Sequence, residues 1–264
     1  MMVSFRPAAL ACALLLACLL LIPASAAPSA SGSPAALASA PPAPDLWDDQ
    51  FDEPGGAIQS TVYDLLLASS GDLYAGGTAG VLRWDGRRWH RVGANGPAGE
   101  VRALAEHGGS IYVGGRFATA GGVTVNNLAR WDGSAWHPVG GGVAGAGATV
   151  GALASHNGAL YAGGSFLTAG GVTVNNLARW DGSAWHSVGG GVLGNNQPGP
   201  YTVVSYAPVN ELVVHQAQLY VGGAFTQTGS LPLSGLARWD GANWSSVGGP
   251  LGSNGRIVVS ALIS

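Results

Sequence analysis

From Thr61 onward one unit of roughly fifty residues recurs, and this recurrence limits the possible folds more than any other feature. Leu128-Ala129-Arg130-Trp131-Asp132-Gly133-Ser134-Ala135-Trp136-His137 returns 49 residues later as Leu177 to His186 with every residue unchanged. Arg238-Trp239-Asp240-Gly241 with Trp244, and Arg83-Trp84-Asp85-Gly86 with Trp89, are looser copies. The series Trp84, Trp131, Trp180, Trp239 steps by 47, 49 and 59 residues. Modules are therefore expected at about 61–93, 101–143, 150–192 and 209–251, with a partial one at 257–264, where Val259-Ser260-Ala261-Leu262 repeats a module's opening.

Each module contains four short apolar strips. In the second these are Val101–Leu104, Ile111–Val113, Leu128–Trp131 and Trp136–Val139, rich in Val, Leu, Tyr and Trp and separated by Gly or Asp-Gly. That is the pattern of antiparallel strands joined by tight turns. Outside the first residues no window keeps an apolar period of 3.6, so the expected class is all-β. A lone four-stranded sheet with two apolar faces cannot bury both. Stacking neighbouring sheets face to face around an axis covers them, and closing the circle removes the end faces. The expected fold is a β-propeller of four-stranded antiparallel blades, about four modules plus the first strand of a fifth. A β-solenoid is the alternative, although its coils are usually shorter.

The repeat absorbs most side chains that would otherwise suggest chemistry. All nine Trp follow it except Trp47, which lies in the similar string Leu46-Trp47-Asp48. Packing between blades is their default role, and an exposed sugar-stacking platform the alternative. Asp85, Asp132, Asp181 and Asp240 each precede Gly, as tight hairpins require. His90, His137 and His186 follow the second Trp, whereas His107, His156 and His215 follow the first strip, so a metal would need one of these sets to converge on the axis. The second set lies in the turn after the first strip, so ordinary turn histidines are expected, and no metal or cofactor. Arg83, Arg130, Arg179 and Arg238 recur beside Trp, where stacking or pairing between blades is expected.

The N-terminal 26 residues read as an export signal: Arg6, an apolar run from Ala8 to Ile22, then Ala24-Ser25-Ala26. Fifteen residues fall short of the roughly 20 needed to span a bilayer. Leu15-Leu16-Ala17-Cys18 offers a looser lipoprotein alternative. Both cysteines, Cys12 and Cys18, lie in this segment, so the mature chain is expected to lack disulfides, thiolate metal sites and cysteine nucleophiles. Residues 27–45 are an Ala/Pro/Ser-rich linker, and 46–264 carry the repeats. Charged residues are only 9% of the chain, with no Lys and a net charge of −3, which argues against coiled coil and against a basic nucleic-acid binder.

The string Tyr112-Val113-Gly114-Gly115 followed by Val125-Asn126-Asn127-Leu128-Ala129-Arg130-Trp131-Asp132-Gly133 and Trp136 resembles repeats of exported propeller proteins of the cortical-marker-of-cell-polarity family. More distantly it resembles kelch blades of the galactose-oxidase type, but departs from them in having Trp131 where Tyr is usual and a shorter gap to Trp136. The resemblance covers about residues 46–264 and implies a non-enzymatic surface or secreted module. Galactose oxidase's site needs a cysteine-crosslinked tyrosine, which a mature chain without Cys lacks. The Asp132-Gly133-x-x-Trp136 string is also similar to the sialidase Asp box, less the residue between Asp and Gly; that box is a folding feature, so no catalysis transfers with it.

Loops between the second and third strips are long in three modules, Phe117–Asn127, Phe166–Asn176 and Phe225–Ser234, and short in the first. Ligand contact is expected on that face, with Asn126, Asn127, Asn175 and Asn176 as the polar candidates and hydrogen-bonded turn Asn as their competing role. The expected function is a secreted or cell-surface binding or scaffold module for an extracellular protein or glycan, with no nucleic-acid partner and no membrane span after signal cleavage. A closed propeller is expected to be a monomer, and the partial last module suggests a fragment of a longer one. The alternative is an exported carbohydrate-active propeller enzyme, which requires a polar cluster on the long-loop face that breaks the blade symmetry.

Overall fold

The computed structural model describes residues 60–194, 208–233 and 235–247. The export signal, the linker, the string Leu46–Phe51 and the partial module at 257–264 lie outside the described residues. Among the described residues there are strands and turns and no helix, hence none long and apolar enough to cross a membrane.

Four antiparallel four-stranded sheets follow one another along the chain, each a simple meander. Sheet one comprises Val62–Leu67, Leu73–Gly77, Gly80–Trp84 and Trp89–Arg91. Sheet two comprises Gly99–His107, Ser110–Phe117, Leu128–Trp131 and Trp136–Pro138. Sheet three comprises Thr149–His156, Ala159–Ser165, Leu177–Trp180 and Trp185–Ser187. Sheet four comprises Val209–His215, Gln218–Gly223, Leu236–Trp239 and Trp244–Ser246. The third and fourth strands turn on the Asp-Gly pair. In sheet two Asp132 Oδ1 accepts from the N–H groups of Ser134 and Ala135 at 2.8 Å, and Gly133 takes φ +98°, a conformation that disfavours a side chain.

The double glycine of each second strand has two separate roles. Every first strand carries a bulge at its start, between Val62 and Asp64, Val101 and Ala103, Val150 and Ala152, and Val209 and Glu211. The second Gly of the pair (Gly77, Gly115, Gly164, Gly223) lies against the bulged backbone, where a Cβ would collide with a carbonyl oxygen. The first Gly faces the next sheet. A Cβ on Gly76 would stand 2.8 Å from Val101 Cγ1, and Gly114 and Gly163 meet Val150 and Val209 more closely still. Val101 and Val150 are 0% exposed and Val209 is 1%, whereas Val62, with no earlier sheet against it in the described residues, is 43%. Fully burying such a side chain contributes roughly 1.5–3 kcal/mol.

Farther out, tryptophan pairs form the second half of each junction. Trp131 and Trp136 are cross-strand neighbours with ring centroids 5.2 Å apart, and the other three pairs lie at 5.1–5.4 Å. Trp136 Nε1–H donates to Val92 O at 3.2 Å, Trp185 to Val139 O and Trp244 to Gly189 O, both at 3.1 Å. Each bond ties a sheet to the one before it. Two-residue strands add a latch: Val143–Ala144, after sheet two, pairs with Thr168–Ala169 in the long loop of sheet three, and Val192–Leu193 pairs with Gln227–Thr228 in that of sheet four.

The first strands of consecutive sheets lie beside one another. No contact of comparable extent joins those of sheets one and four, and a closed ring of sheets is not seen among the described residues. The recurrent arginines stand opposite tyrosines in the register, Arg83 facing Tyr74, Arg130 facing Tyr112, Arg179 facing Tyr161 and Arg238 facing Tyr220. The expectation of stacking or pairing between blades is not decided by this register.

Candidate functional site

On the long-loop face, the loops of sheets two and three close on an Asn-Asn pair. Asn126 and Asn127 have φ +48° and +70°, and Asn175 and Asn176 have +50° and +68°, a left-handed turn that Asn tolerates. Asn127 Oδ1 accepts from Phe117 N–H at 3.2 Å, and its Nδ2 donates to Val143 O at 3.3 Å. Asn126 Nδ2 donates to Gly141 O at 2.9 Å. In the next module Asn176 bonds Phe166 N–H and Val192 O, and Asn175 bonds Gly190 O, at 3.0–3.1 Å. All four amides thus tie a long loop to the connection leading to the following sheet. Asn126 remains exposed, Asn127 and Asn175 are half-buried, and Asn176 is buried. Beside Asn126 a groove of about 610 Å³ runs between Arg116, Phe117 and the connection Val143–Ala148.

A second group lies at the start of the first strands and escaped notice in the sequence. Asp64, Ala103, Ala152 and Glu211 occupy one position, immediately after the bulge. Asp64 Oδ2 accepts from Leu104 N–H of sheet two at 2.7 Å and Oδ1 from Leu65 N–H at 2.8 Å. Burial raises its pKa to about 6 against these two bonds. Glu211 is pushed up to about 7, first by burial and then by the Asp64 carboxylate. The first and last described sheets thus each carry a carboxyl group at this position, with alanines at the two positions between. Nearby, Arg102 lies over the Tyr63 ring, 5.3 Å from its centroid, and pairs with Glu100 at 2.7 Å. The missed signal was a column: aligning the modules on Val62, Val101, Val150 and Val209 sets Asp and Glu against Ala.

The histidines are spread through the repeat. His90, His137 and His186 each bond the Asp of their own turn through Nε2, at 2.6, 2.5 and 2.6 Å. The backbone N–H of Arg88, Ala135 or Ala184, with the other donors, holds Asp85, Asp132 and Asp181 well below the ordinary carboxylate range. His107, His156 and His215 lie against Tyr112, Tyr161 and Tyr220 with centroids 5.7, 5.9 and 6.2 Å apart. His107 Nδ1 also meets Ser155 Oγ of the next sheet at 2.8 Å. The corresponding residue beyond His156 is the apolar Val214, and the buried His156 Nε2 has no hydrogen-bond partner. Burial lowers the pKa of His107 and His156. Among the described residues no three His, Cys, Asp or Glu side chains group as metal ligands would.

Fold and site together define an all-β repeat protein of successive four-stranded antiparallel sheets. No family model matches the chain, and no curated protein matches it. Among solved structures it is similar to the extracellular domain of BT4673 from B. thetaiotaomicron, described in one structure as a one-component system and in another as a hybrid two-component system. The first is 15% identical with a TM-score of 0.46, and the match covers 81% of this chain and 25% of that one. The second is 15% identical with a TM-score of 0.42, covering 68% and 21%. The chain thus spans about a quarter of the length of the first.

Proposed function

We propose that the protein is an exported, non-enzymatic binding or scaffold module of β-propeller type, resembling the cortical-marker proteins, whose partner is an extracellular protein or glycan docking on the long-loop face. The asymmetry between the two loop faces carries this reading. Short turns close one side, while the other presents three long loops and the groove beside Asn126. Variable loops on a rigid sheet scaffold are the usual place for recognition. Asn126 and Asn175 are the proposed polar contacts that a partner reaches first, with Asn127 and Asn176 holding the loops that present them. The test is an array of immobilised glycans and secreted or surface ectodomains, run beside chromogenic glycosides. Saturable capture without turnover, weakened at least tenfold in Asn126→Ala with Asn175→Ala, is expected. Turnover of a glycoside, or capture unaffected by both changes, would contradict the proposal.

One observation favours a carbohydrate-active enzyme as a second reading. Asp64 and Glu211 are two carboxyl groups with pKa values raised by burial, a property that general acid–base attack on a glycosidic bond draws on, and they break the repeat. Against it, both Asp64 oxygens accept backbone N–H bonds, one of which ties sheet one to sheet two. On the enzyme reading, Glu211→Gln abolishes glycoside turnover in a folded protein.

A further inference from the structure

Sheets two, three and four end their first strands on His107, His156 and His215, each against the tyrosine of the adjoining strand. The register shows what sheet one has instead. Leu66 faces Tyr74 as Ala105 faces Tyr112, so the residue two places on, equivalent to His107, is Ala68. The imidazole is missing at this one junction, and the turn from Ala68 to Asp72 is longer than the Gly108-Gly109 turn of sheet two. A cavity of about 390 Å³ opens there between sheets one and two, on the short-turn side, lined by Ala68, Tyr74, Arg83, His90, Glu106 and Trp131 among others. Trp131 is correspondingly half-buried, whereas its counterparts Trp180 and Trp239 are buried.

We propose that this cavity binds a sugar ring of a neutral glycan. The indole of Trp131 offers an aromatic surface for the C–H face of a pyranose, and the planar polar side chains around it offer donors and acceptors for hydroxyls. Charge selects a neutral ligand. The rim carries Arg83 and Arg91 beside Asp72, Glu106 and Asp132, with Arg83 3.7 Å from Asp72, so the two signs nearly balance. The site lies on the face opposite the long loops. It therefore extends the binding-module reading, on which it rests, to a second surface with a defined ligand class.

The natural sequence supplies the test. Ala68→His restores the residue the other three sheets use and places an imidazole at the cavity wall, where Ala68 is a buried residue. Cellohexaose, xylohexaose, laminarihexaose and maltohexaose are titrated against the protein with tryptophan fluorescence and calorimetry as readouts. At least one is expected to bind saturably, with a fluorescence change, and to bind Ala68→His at least tenfold more weakly while circular dichroism and melting temperature are retained. Should that variant fail to fold, Arg83→Ala, at an exposed position, is expected to weaken the same binding at least fivefold. Failure of all four hexasaccharides to bind, or full affinity in a folded Ala68→His (or, in its place, Arg83→Ala), would overturn the proposal. Glycan binding kept in Ala68→His but lost with Asn126→Ala and Asn175→Ala would reject this cavity and leave the module reading standing; release of shorter sugars would reject that reading.

Discussion

Exchanging a methyl group across the first junction tests the packing directly. Gly76 has an ordinary φ, so Ala is conformationally allowed, but its Cβ would lie 2.8 Å from Val101 Cγ1, well inside carbon–carbon contact. Gly76→Ala alone therefore overpacks the junction at a cost of about 1–3 kcal/mol. Val101→Ala removes two methyls from a side chain that is 0% exposed. At about 0.8 kcal/mol for each, plus the cavity left behind, that variant loses about 2 kcal/mol. Combined, the new methyl enters space that the valine has vacated; the next atoms, Leu104 Cγ and Val101 O, stand at 3.4 Å. The double variant should lose about 1–2 kcal/mol rather than the sum, a favourable coupling of about 2–3 kcal/mol. Urea unfolding followed by tryptophan fluorescence and far-UV circular dichroism, with coincident transitions, measures all four corners. Costs that add to within about 0.5 kcal/mol would refute the seating of Val101 on Gly76.

Two further outcomes follow from the same geometry. Trp185→Phe keeps most of the ring but removes the donor to Val139 O, so urea unfolding should show a loss of about 1–3 kcal/mol from the unsatisfied carbonyl; no change would mean that the bond is not made in solution. Glu211 has a folded pKa raised from 4.5 to about 7, so the folded state holds an extra proton between these values and loses stability as pH rises through that window. Glu211→Gln should flatten this slope and be the more stable protein at pH 8 by about 1 kcal/mol, a figure already reduced for its partial exposure, with little difference at pH 4. A variant with an unchanged pH–stability profile would refute the raised pKa of Glu211.

Much of the architecture was legible because the repeat prints it. The Trp131–Trp136 spacing with Asp132-Gly133 between requires a tight hairpin, and the structure pairs these two residues across strands. The sequence shows the glycines only as separators of the strips, yet Gly114 and Gly115 serve different neighbours, one in the next sheet and one in its own bulge. Bulges leave no residue signature, because the extra residue is Tyr63, Arg102, Gly151 or Asn210. For that reason Asp64 and Glu211 read as ordinary strand acids until the register aligned them with Ala103 and Ala152. Ala68 was invisible for the opposite reason: a small residue in a turn attracts no attention until three histidines share its position. The Asn pairs were placed on the correct loops from sequence, but their bonds to Gly141, Val143, Gly190 and Val192 depend on where the next sheet begins, which no local pattern encodes.

Hydrogen exchange at the indole Nε1–H groups, followed by nitrogen-15 NMR, probes the stacking of successive sheets most directly. Trp136, Trp185 and Trp244 donate to carbonyls of the preceding sheet and should be protected by several orders of magnitude, losing that protection together on global unfolding. Exchange of these three at the rate of a free indole in the folded protein would contradict the sheet-on-sheet packing described above.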